Sequence, residues 1–144
     1  MGEKILVVDD EEAVREALFE FLTDEGYEPI LAPNGEEALD LAERENPQLI
    51  LLDMRMPGID GVETSQRLKS NEKTRLIPII VATAFRETFM EACDVGAADF
   101  VMKPFDVVEL SIRVRSILRI RHLSDELDRA LAYIKELEEN LGKL

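Results

Sequence analysis

Short apolar runs alternate with longer amphipathic stretches five times along this chain. The predicted strands are residues 5–8, 28–32, 49–53, 77–83 and 99–102. The predicted helices, where apolar residues recur at helical spacing, are roughly residues 12–25, 35–46, 60–71, 87–95 and 106 onward. Because strands 1, 3 and 4 are almost continuously apolar, we expect helices on both faces of the sheet. The pattern predicts an α/β fold with an open, doubly wound parallel sheet of five strands.

Length, charge and cysteine content exclude several function classes. The 144 residues, 46% of them hydrophobic, suffice for one domain with a core and one further element. A net charge of -14 argues against direct, non-specific binding of nucleic acid or of an anionic membrane. The single cysteine, Cys93, excludes an internal disulfide framework and fits a reducing compartment. The longest apolar runs fall far short of the roughly 20 residues that span a bilayer, so we expect a soluble, cytoplasmic protein.

Polar residues stand at the ends of four predicted strands. They are Asp9 and Asp10 after strand 1, Asp53 at the end of strand 3, Thr83 at the end of strand 4, where the small Ala84 follows, and Lys103 after strand 5. Since the carboxyl ends of parallel strands share one edge of a sheet, we expect these residues to converge there. Each one alone has an ordinary explanation, because acidic pairs often begin helices, Thr favours strands and Lys favours solvent. Their common position favours a functional site.

The chemistry of that site follows from its charges. Three close carboxylates would repel one another and raise their pKa values unless a cation lay among them. Hard oxygen ligands suit Mg²⁺, which typically takes one or two carboxylates and phosphate oxygens. Asp53 would then be a nucleophile for phosphoryl transfer, with Mg²⁺ on Asp10 and Asp53, and with Lys103 and Thr83 holding the phosphoryl oxygens.

Four segments resemble the receiver domains of two-component response regulators, and the resemblance covers roughly residues 3–121. They are ILVVDDE at 5–11, LLDMRMPGIDG at 51–61, VATA at 81–84 and GAADFVMKPF at 96–105. The resemblance implies a flavodoxin-like (βα)5 fold with strand order 2-1-3-4-5 and a receiver domain at 1–121. It also implies a phosphorelay module that accepts a phosphoryl group from a sensor histidine kinase. Such a module is not an enzyme beyond its own phosphorylation and dephosphorylation.

The resemblance assigns roles to the metal-site residues. Asp53 would be the phospho-acceptor and, with Asp10 and the backbone carbonyl of Arg55, a ligand of Mg²⁺. Asp9 would reach the ion through water. These assignments are expectations for the structure.

Further roles concern the phosphoryl group and the switch. Thr83 and Lys103 would contact the phosphoryl group, and the small Ala84 would leave access to it. Phe100 would be the aromatic switch partner of Thr83, although many family members have Tyr there and Phe lacks the hydroxyl; alternatively, Phe100 is a core residue. The family also implies a cis peptide bond before Pro104.

The C-terminal segment differs from the rest of the chain. From Asp106 to Leu141 there is no Gly or Pro, which predicts one helix far longer than the average of about 11 to 12 residues. Its apolar stripe comprises Ile117, Ile120, Leu123, Leu127, Leu131, Ile134, Leu137, Leu141 and Leu144. Successive four-residue steps from Leu123 to Leu131 resemble a stutter in a heptad pattern. We expect residues 122–144 to form a parallel coiled coil that makes a homodimer; the alternative is a helix that folds back onto its own domain.

Several questions stay open at the level of sequence. This chain resembles receiver domains that such a helix joins to a diguanylate cyclase, phosphodiesterase, phosphatase or kinase module. Either an output domain is therefore missing here, or the coiled coil is itself the output. The only histidine, His122, is expected to be a surface residue. Alternatives are a small-molecule aspartyl-phosphate phosphatase, a flavin-binding module and a phosphorylation-independent coiled-coil adaptor. Arg55 disfavours the first, which needs a second Asp there, and the acidic residues 9–12 disfavour phosphate binding by the second.

Overall fold

The computed structural model describes residues 2–86 and 89–143, and within these ranges five strands alternate with five helices. The strands are β1 (Lys4–Val8), β2 (Glu28–Ala32), β3 (Leu49–Asp53), β4 (Ile79–Thr83) and β5 (Asp99–Met102). The helices are α1 (Glu12–Asp24), α2 (Gly35–Glu45), α3 (Gly61–Ser70), α4 (Phe89–Asp94) and α5 (Val107–Gly142). All neighbouring strands are parallel, and their order is β2-β1-β3-β4-β5. The predicted flavodoxin-like topology is confirmed.

The sheet is covered on both faces, as the apolar strands predict. Alternate strand residues such as Leu6 and Ile50 pack with α2, α3 and α4, whereas Ile5 and Leu51 pack with α1 and α5. This division follows from the two-residue repeat of a strand, which points successive side chains to opposite faces. The two layers of core hold the strands rigidly, and so they fix the positions of the residues at the strand ends.

Strand register brings the functional edge together. Val8 pairs with Leu52 across β1 and β3, and Thr83 pairs with Met102 across β4 and β5. Strands β1, β3, β4 and β5 therefore end at nearly the same level. The residues that follow them lie at one edge of the sheet.

The predicted boundaries differ from the structure mainly at β4 and α4. Strand β4 begins at Ile79 instead of 77, because the Ile77 N–H donates to the carbonyl of Thr74 in a turn at 3.0 Å and Pro78 has no N–H to donate. The first two residues of the helix predicted at 87–95 lie outside the described residues. Helices α1, α2 and α3 agree with their predicted ranges within one residue at each end.

Helix α5 is continuous over 36 residues, as predicted. Asp106 caps its first turn, accepting hydrogen bonds from the N–H groups of Val108 at 2.9 Å and Glu109 at 3.3 Å. Its first half buries Leu110 and Val114 against the sheet, whereas every residue from 122 to 143 is exposed. Leu144, the last residue of the predicted stripe, lies outside the described residues. Among the described helices, α5 included, none combines the length and hydropathy needed to cross a bilayer.

Candidate functional site

Three carboxylates converge at the carboxyl edge of the sheet. Asp9 and Asp53 are 2% and 6% exposed, whereas Asp10 is open to solvent. Each can offer a carboxylate oxygen such that all three atoms lie within 4.8 Å of one another. Hard oxygen donors at this spacing, two of them buried, fit a small divalent cation such as Mg²⁺.

Lys103 supplies the cationic side chain between the two buried carboxylates. Its Nζ lies 2.5 Å from Asp9 Oδ2 and 3.3 Å from Asp53 Oδ2. Burial lowers the pKa of Lys103, but the hydrogen bonds and charges of Asp9 and Asp53 outweigh burial and raise the pKa above its ordinary value. Lys103 is therefore positively charged at neutral pH. Its peptide bond to Pro104 is cis, as the family resemblance implied.

Backbone groups orient the two buried carboxylates. Asp53 Oδ1 accepts a hydrogen bond from the N–H of Arg55 at 3.2 Å, and Asp9 Oδ1 accepts one from the N–H of Glu11 at 2.9 Å. Behind Asp53 the chain turns into α3 at Gly61, where a Cβ atom would lie 2.6 Å from the Asp53 carbonyl oxygen. Glycine is thus required for this close approach of helix and strand end.

The electrostatics of Asp53 are unusual for an aspartate. Burial raises its pKa from 3.8 to about 6, the N–H of Arg55 and the charge of Lys103 oppose that rise, and the charge of Asp9 adds to it. The ionised form of Asp53 is consequently disfavoured in the folded protein, mainly because burial removes the carboxylate from water. A bound divalent cation would supply positive charge and favour the nucleophilic carboxylate.

We expect the raised pKa of Asp53 to appear as a pH-dependent stability difference between the wild-type protein and Asp53→Asn in magnesium-free buffer. The pKa of Asp53 is about 6 in the folded protein and 3.8 in the unfolded chain, so below pH 3.8 the carboxyl is protonated in both states. Because the folded protein holds this proton more tightly, protonation of Asp53 stabilises the fold, and that stabilisation is lost as the pH rises through about 6. At pH 7 the asparagine variant should be more stable by up to about 3 kcal/mol. Urea unfolding with a chelator from pH 3.5 to 8 measures this, and two parallel pH profiles would contradict it.

Asp53 lies in a cleft of about 170 Å³. The cleft is lined by Asp10, Glu11, Asp53, Arg55, Thr83, Ala84, Phe85 and Lys103. The hydroxyl oxygen of Thr83 accepts a hydrogen bond from the N–H of Phe85 at 3.0 Å, and the exposed Ala84 places only a methyl group at the cleft wall. The structure therefore brings together the acceptor, metal, phosphoryl-contact and access residues that the sequence indicated.

Two other sequence candidates lie outside the cleft. Phe100 is half-buried and packs against the core cluster on the α2–α4 face, without lining the cleft. His122 lies on the tail of α5 with 69% of its side chain exposed, as expected, and pairs with Glu126 at 3.1 Å.

Sequence reasoning missed a contact across the cleft. The guanidinium carbon of Arg55 lies 4.3 Å from the centroid of the Phe85 ring, which is the geometry of a cation–π interaction. The two residues stand two positions after Asp53 and Thr83, so the strand-end positions were the only signal that could have indicated them. That they meet depends on how the two loops pack.

The chain belongs to the response regulator receiver domain family, which matches residues 5–115. Members of this family are signalling modules of two-component systems that are phosphorylated on an aspartate. The probable transcriptional regulator ycf27 of Porphyra purpurea is 46% identical over 119 residues, covering 81% of this chain and 48% of that protein. The chain thus spans about half the length of such relatives. Sporulation initiation phosphotransferase F of Bacillus subtilis is 41% identical over 123 residues, covering 84% of this chain and 98% of that protein.

Solved structures show the same fold. The receiver domain of sensor histidine kinase PA1611 from Pseudomonas aeruginosa PAO1 has a TM-score of 0.77 and 29% identity, with 82% of this chain and 98% of that chain covered. That structure has a magnesium ion coordinated in its active site cleft. It shows that this fold can hold the cation which the acidic cluster of the present chain fits.

Proposed function

We propose that this chain is a switch in which Asp53 accepts a phosphoryl group from the phosphohistidine of a sensor kinase, in a magnesium-dependent reaction. One observation carries the proposal: the buried carboxylate of Asp53 lines an open cleft and lies close to charged groups of both signs. Its Oδ2 is 3.3 Å from the Lys103 ammonium, and one of its oxygens lies within 4.8 Å of carboxylate oxygens of Asp9 and Asp10. Neither a flavin site nor a purely structural adaptor needs that arrangement.

Four groups of the chain would hold the metal. The carboxylates of Asp10 and Asp53 and the backbone carbonyl of Arg55 would bind Mg²⁺ directly, and Asp9 would bind through water. When bound, the ion supplies positive charge that screens the carboxylates and the phosphoryl oxygens. The raised pKa of Asp53, which results mainly from burial, supports this assignment, since a bound cation would stabilise the buried carboxylate in its ionised form.

The remaining steps belong to side chains of the chain itself. An oxygen of ionised Asp53 attacks phosphorus, an acyl phosphate O–P bond forms, the P–N bond of the phosphohistidine breaks, and the imidazole nitrogen leaves with the electron pair. Lys103 and the Thr83 hydroxyl bind oxygens of the transferred group, and Ala84 leaves room for it. Hydrolysis of the acyl phosphate later restores Asp53, so the chemistry of the chain is confined to its own modification.

Mass spectrometry tests this assignment directly. The chain should gain one phosphoryl group, about 80 Da, after incubation with acetyl phosphate and Mg²⁺, and should gain none with a chelator. Peptide mapping after reductive trapping should place the modification on Asp53. Modification at another residue, or equal labelling without Mg²⁺, would contradict the proposal.

We propose that Thr83 carries the phosphorylation signal to the surface formed by α4, β5 and α5. Its hydroxyl would turn toward the phosphoryl group, the loop after β4 would follow, and Phe100 would move into the space released, driven by packing alone because it has no hydroxyl.

Thr83→Ala should therefore bind beryllofluoride, a phosphoryl mimic, yet lose most of the response of that surface. The measure is hydrogen exchange of residues 89–113 with and without beryllofluoride, and Thr74→Ala is a matched control because Thr74 is buried elsewhere. A full surface response in Thr83→Ala would exclude this route.

We further propose that the chain consists of a receiver domain at 1–121 and a helical extension at 122–144. Arg121 supports this boundary, because its guanidinium donates to the carbonyl oxygens of Gln48 at 2.8 Å and Pro47 at 3.4 Å. These two residues directly precede β3, at the amino end of that strand. Past that contact all described residues of α5 are exposed. The extension therefore projects from the domain, which argues against the fold-back alternative.

The extension is proposed to pair with that of a second copy as a parallel coiled coil. The exposed large apolar residues of its stripe are Ile120, Leu123, Leu127, Leu131, Ile134, Leu137 and Leu141, each between 43% and 67% exposed. Most of the stability of a helix in a protein comes from packing of its apolar face, and so wide an exposed apolar stripe favours a partner. A parallel pair would cover this stripe.

The register of the coiled coil has a simple solution if Ala130 replaces Leu131 in the seam. Steps from Leu127 through Ala130 to Ile134 are then three and four residues, which keeps a strict heptad without a stutter.

The tail would transmit the signal either as a coiled coil or to a further domain, since the longer relatives carry about as much chain again. The net charge of -14 leaves direct nucleic-acid or membrane binding disfavoured, and a cytoplasmic location is proposed.

A further inference from the structure

The side chains of Arg55 and Phe85 meet at the solvent side of the phosphorylation cleft. Arg55 lies on the loop after β3 and Phe85 on the loop after β4, and both line the cleft. The guanidinium carbon is 4.3 Å from the ring centroid, and the ring is 43% exposed. Because the negative face of an aromatic ring attracts a cation, the ring of Phe85 favours a position of the Arg55 guanidinium at the cleft.

The charge of Arg55 is not neutralised by a carboxylate. Within the described part of the chain Arg55 forms no ion pair, whereas the ammonium of Lys103 contacts both Asp9 and Asp53. A guanidinium has five N–H donors in a planar fork that suits the oxygens of phosphate groups. The guanidinium carbon lies over the Phe85 ring, and a ring in that position makes no hydrogen bond that would use up the N–H donors of the guanidinium.

Charge balance indicates what the guanidinium would bind. The acidic groups around the cleft are Asp9, Asp10, Glu11 and Asp53. Lys103 and one divalent cation offset three of these four charges. Phosphorylation would replace the single charge of Asp53 by about -1.5 to -2, so the cleft would gain about -0.5 to -1 of further charge. Arg55 is the remaining cationic side chain among the residues that line the cleft. It can offset the added charge only if it stays near the cleft, and Phe85 keeps it there.

We propose that Arg55 is a second anion-binding residue for the phosphoryl group and that Phe85 acts as its positioning residue. The guanidinium binds the outer oxygens of the donor phosphoryl group and of the aspartyl phosphate, on the side open to solvent. This role of the side chain is separate from that of the Arg55 backbone carbonyl. It rests on the proposed function of Asp53.

Two binding measurements with opposite expected signs test the proposal. Calorimetry would give the affinity for Mg²⁺ alone and the affinity for beryllofluoride at saturating Mg²⁺. In Arg55→Ala, beryllofluoride should bind about fivefold more weakly because an anion-binding charge is lost. Mg²⁺ alone should bind about twofold more tightly because a like charge is removed. Damage to the fold of the site would weaken both affinities together.

Variants of the partner ring and a matched control complete the test. Phe85→Leu should weaken beryllofluoride binding about twofold, and Arg55→Ala combined with Phe85→Leu should be no weaker than Arg55→Ala alone, since Phe85 acts through Arg55. Arg55→Lys should keep part of the affinity. Arg67→Ala is the control, because it removes an exposed arginine of α3 that pairs with Glu63 outside the cleft.

The outcomes separate this proposal from the proposed function. If Arg55→Ala weakens the affinities for both Mg²⁺ and beryllofluoride, or changes neither, the role of Arg55 is overturned. Beryllofluoride binding by the wild-type protein would still support the phosphorylation site in that case. Additive losses in the double variant overturn the role assigned to Phe85. No beryllofluoride binding by the wild-type protein with Mg²⁺ overturns both proposals.

Discussion

Asp53→Asn is expected to reduce covalent phosphorylation by acetyl phosphate by at least about 100-fold, to the level of the chemical background. An amide oxygen is a poor nucleophile and carries no charge to bind Mg²⁺, so both the attack and the metal site are lost. The structure supports a specific effect, because Asn can still accept the hydrogen bond from the N–H of Arg55. Intact mass after incubation with acetyl phosphate and Mg²⁺ measures the result.

The matched control for this substitution is Asp40→Asn. Asp40 is an exposed carboxylate of α2 that pairs with Arg44 at 3.0 Å, far from the carboxyl edge of the sheet. It loses the same charge and should be phosphorylated at the wild-type rate. Efficient labelling of Asp53→Asn at a neighbouring carboxylate would show that the cleft activates phosphodonors without depending on Asp53 as the acceptor.

The second large effect concerns the extension of α5. Leu127→Asp combined with Ile134→Asp should convert the proposed dimer into a monomer, raising its dissociation constant by at least about 100-fold, because both positions would bury charges in the apolar seam. Sedimentation velocity from 1 to 100 µM measures the mass. Helicity of the tail should fall with the dimer, since packing of the apolar face supplies most of the stability of a helix.

A single aspartate on the outer face of the same helix serves as the control. Ala132 lies off the seam in the heptad that passes through Leu127 and Ile134, and it is exposed. Ala132→Asp should therefore leave the dimer intact. A wild-type protein that is monomeric at every concentration, or a seam variant that stays dimeric, would refute pairing through this stripe.

The same mass measurement with beryllofluoride and Mg²⁺ decides how the tail is regulated. A dimer in both states would make pairing constitutive, and the signal would have to change its geometry. A dimer only with the mimic would make phosphorylation the switch for assembly. Helix α5 packs on the sheet at one end and projects from the domain at the other, which is the geometry that the proposed signal transmission requires.

The sequence by itself determined the order of elements and the membership of the site. Strand and helix periodicities are local properties of the chain, so the alternation predicted the βα repeats. The carboxyl ends of parallel strands lie at a common edge of the sheet, and this alone predicted that Asp9, Asp53, Thr83 and Lys103 lie along one edge. The absence of Gly and Pro from Asp106 to Leu141 likewise predicted one continuous helix.

Only the tertiary structure decided the properties that depend on burial and on contacts between distant segments. The pKa of Asp53 near 6 results from its burial, and Lys103 meets Asp9, 94 residues away in the chain, through the packing of β5 beside its neighbours. The contact of Arg55 with Phe85 joins two loops whose local sequences give no sign of each other. Local sequence specifies backbone preference, whereas desolvation and through-space charge exist only once the chain has folded.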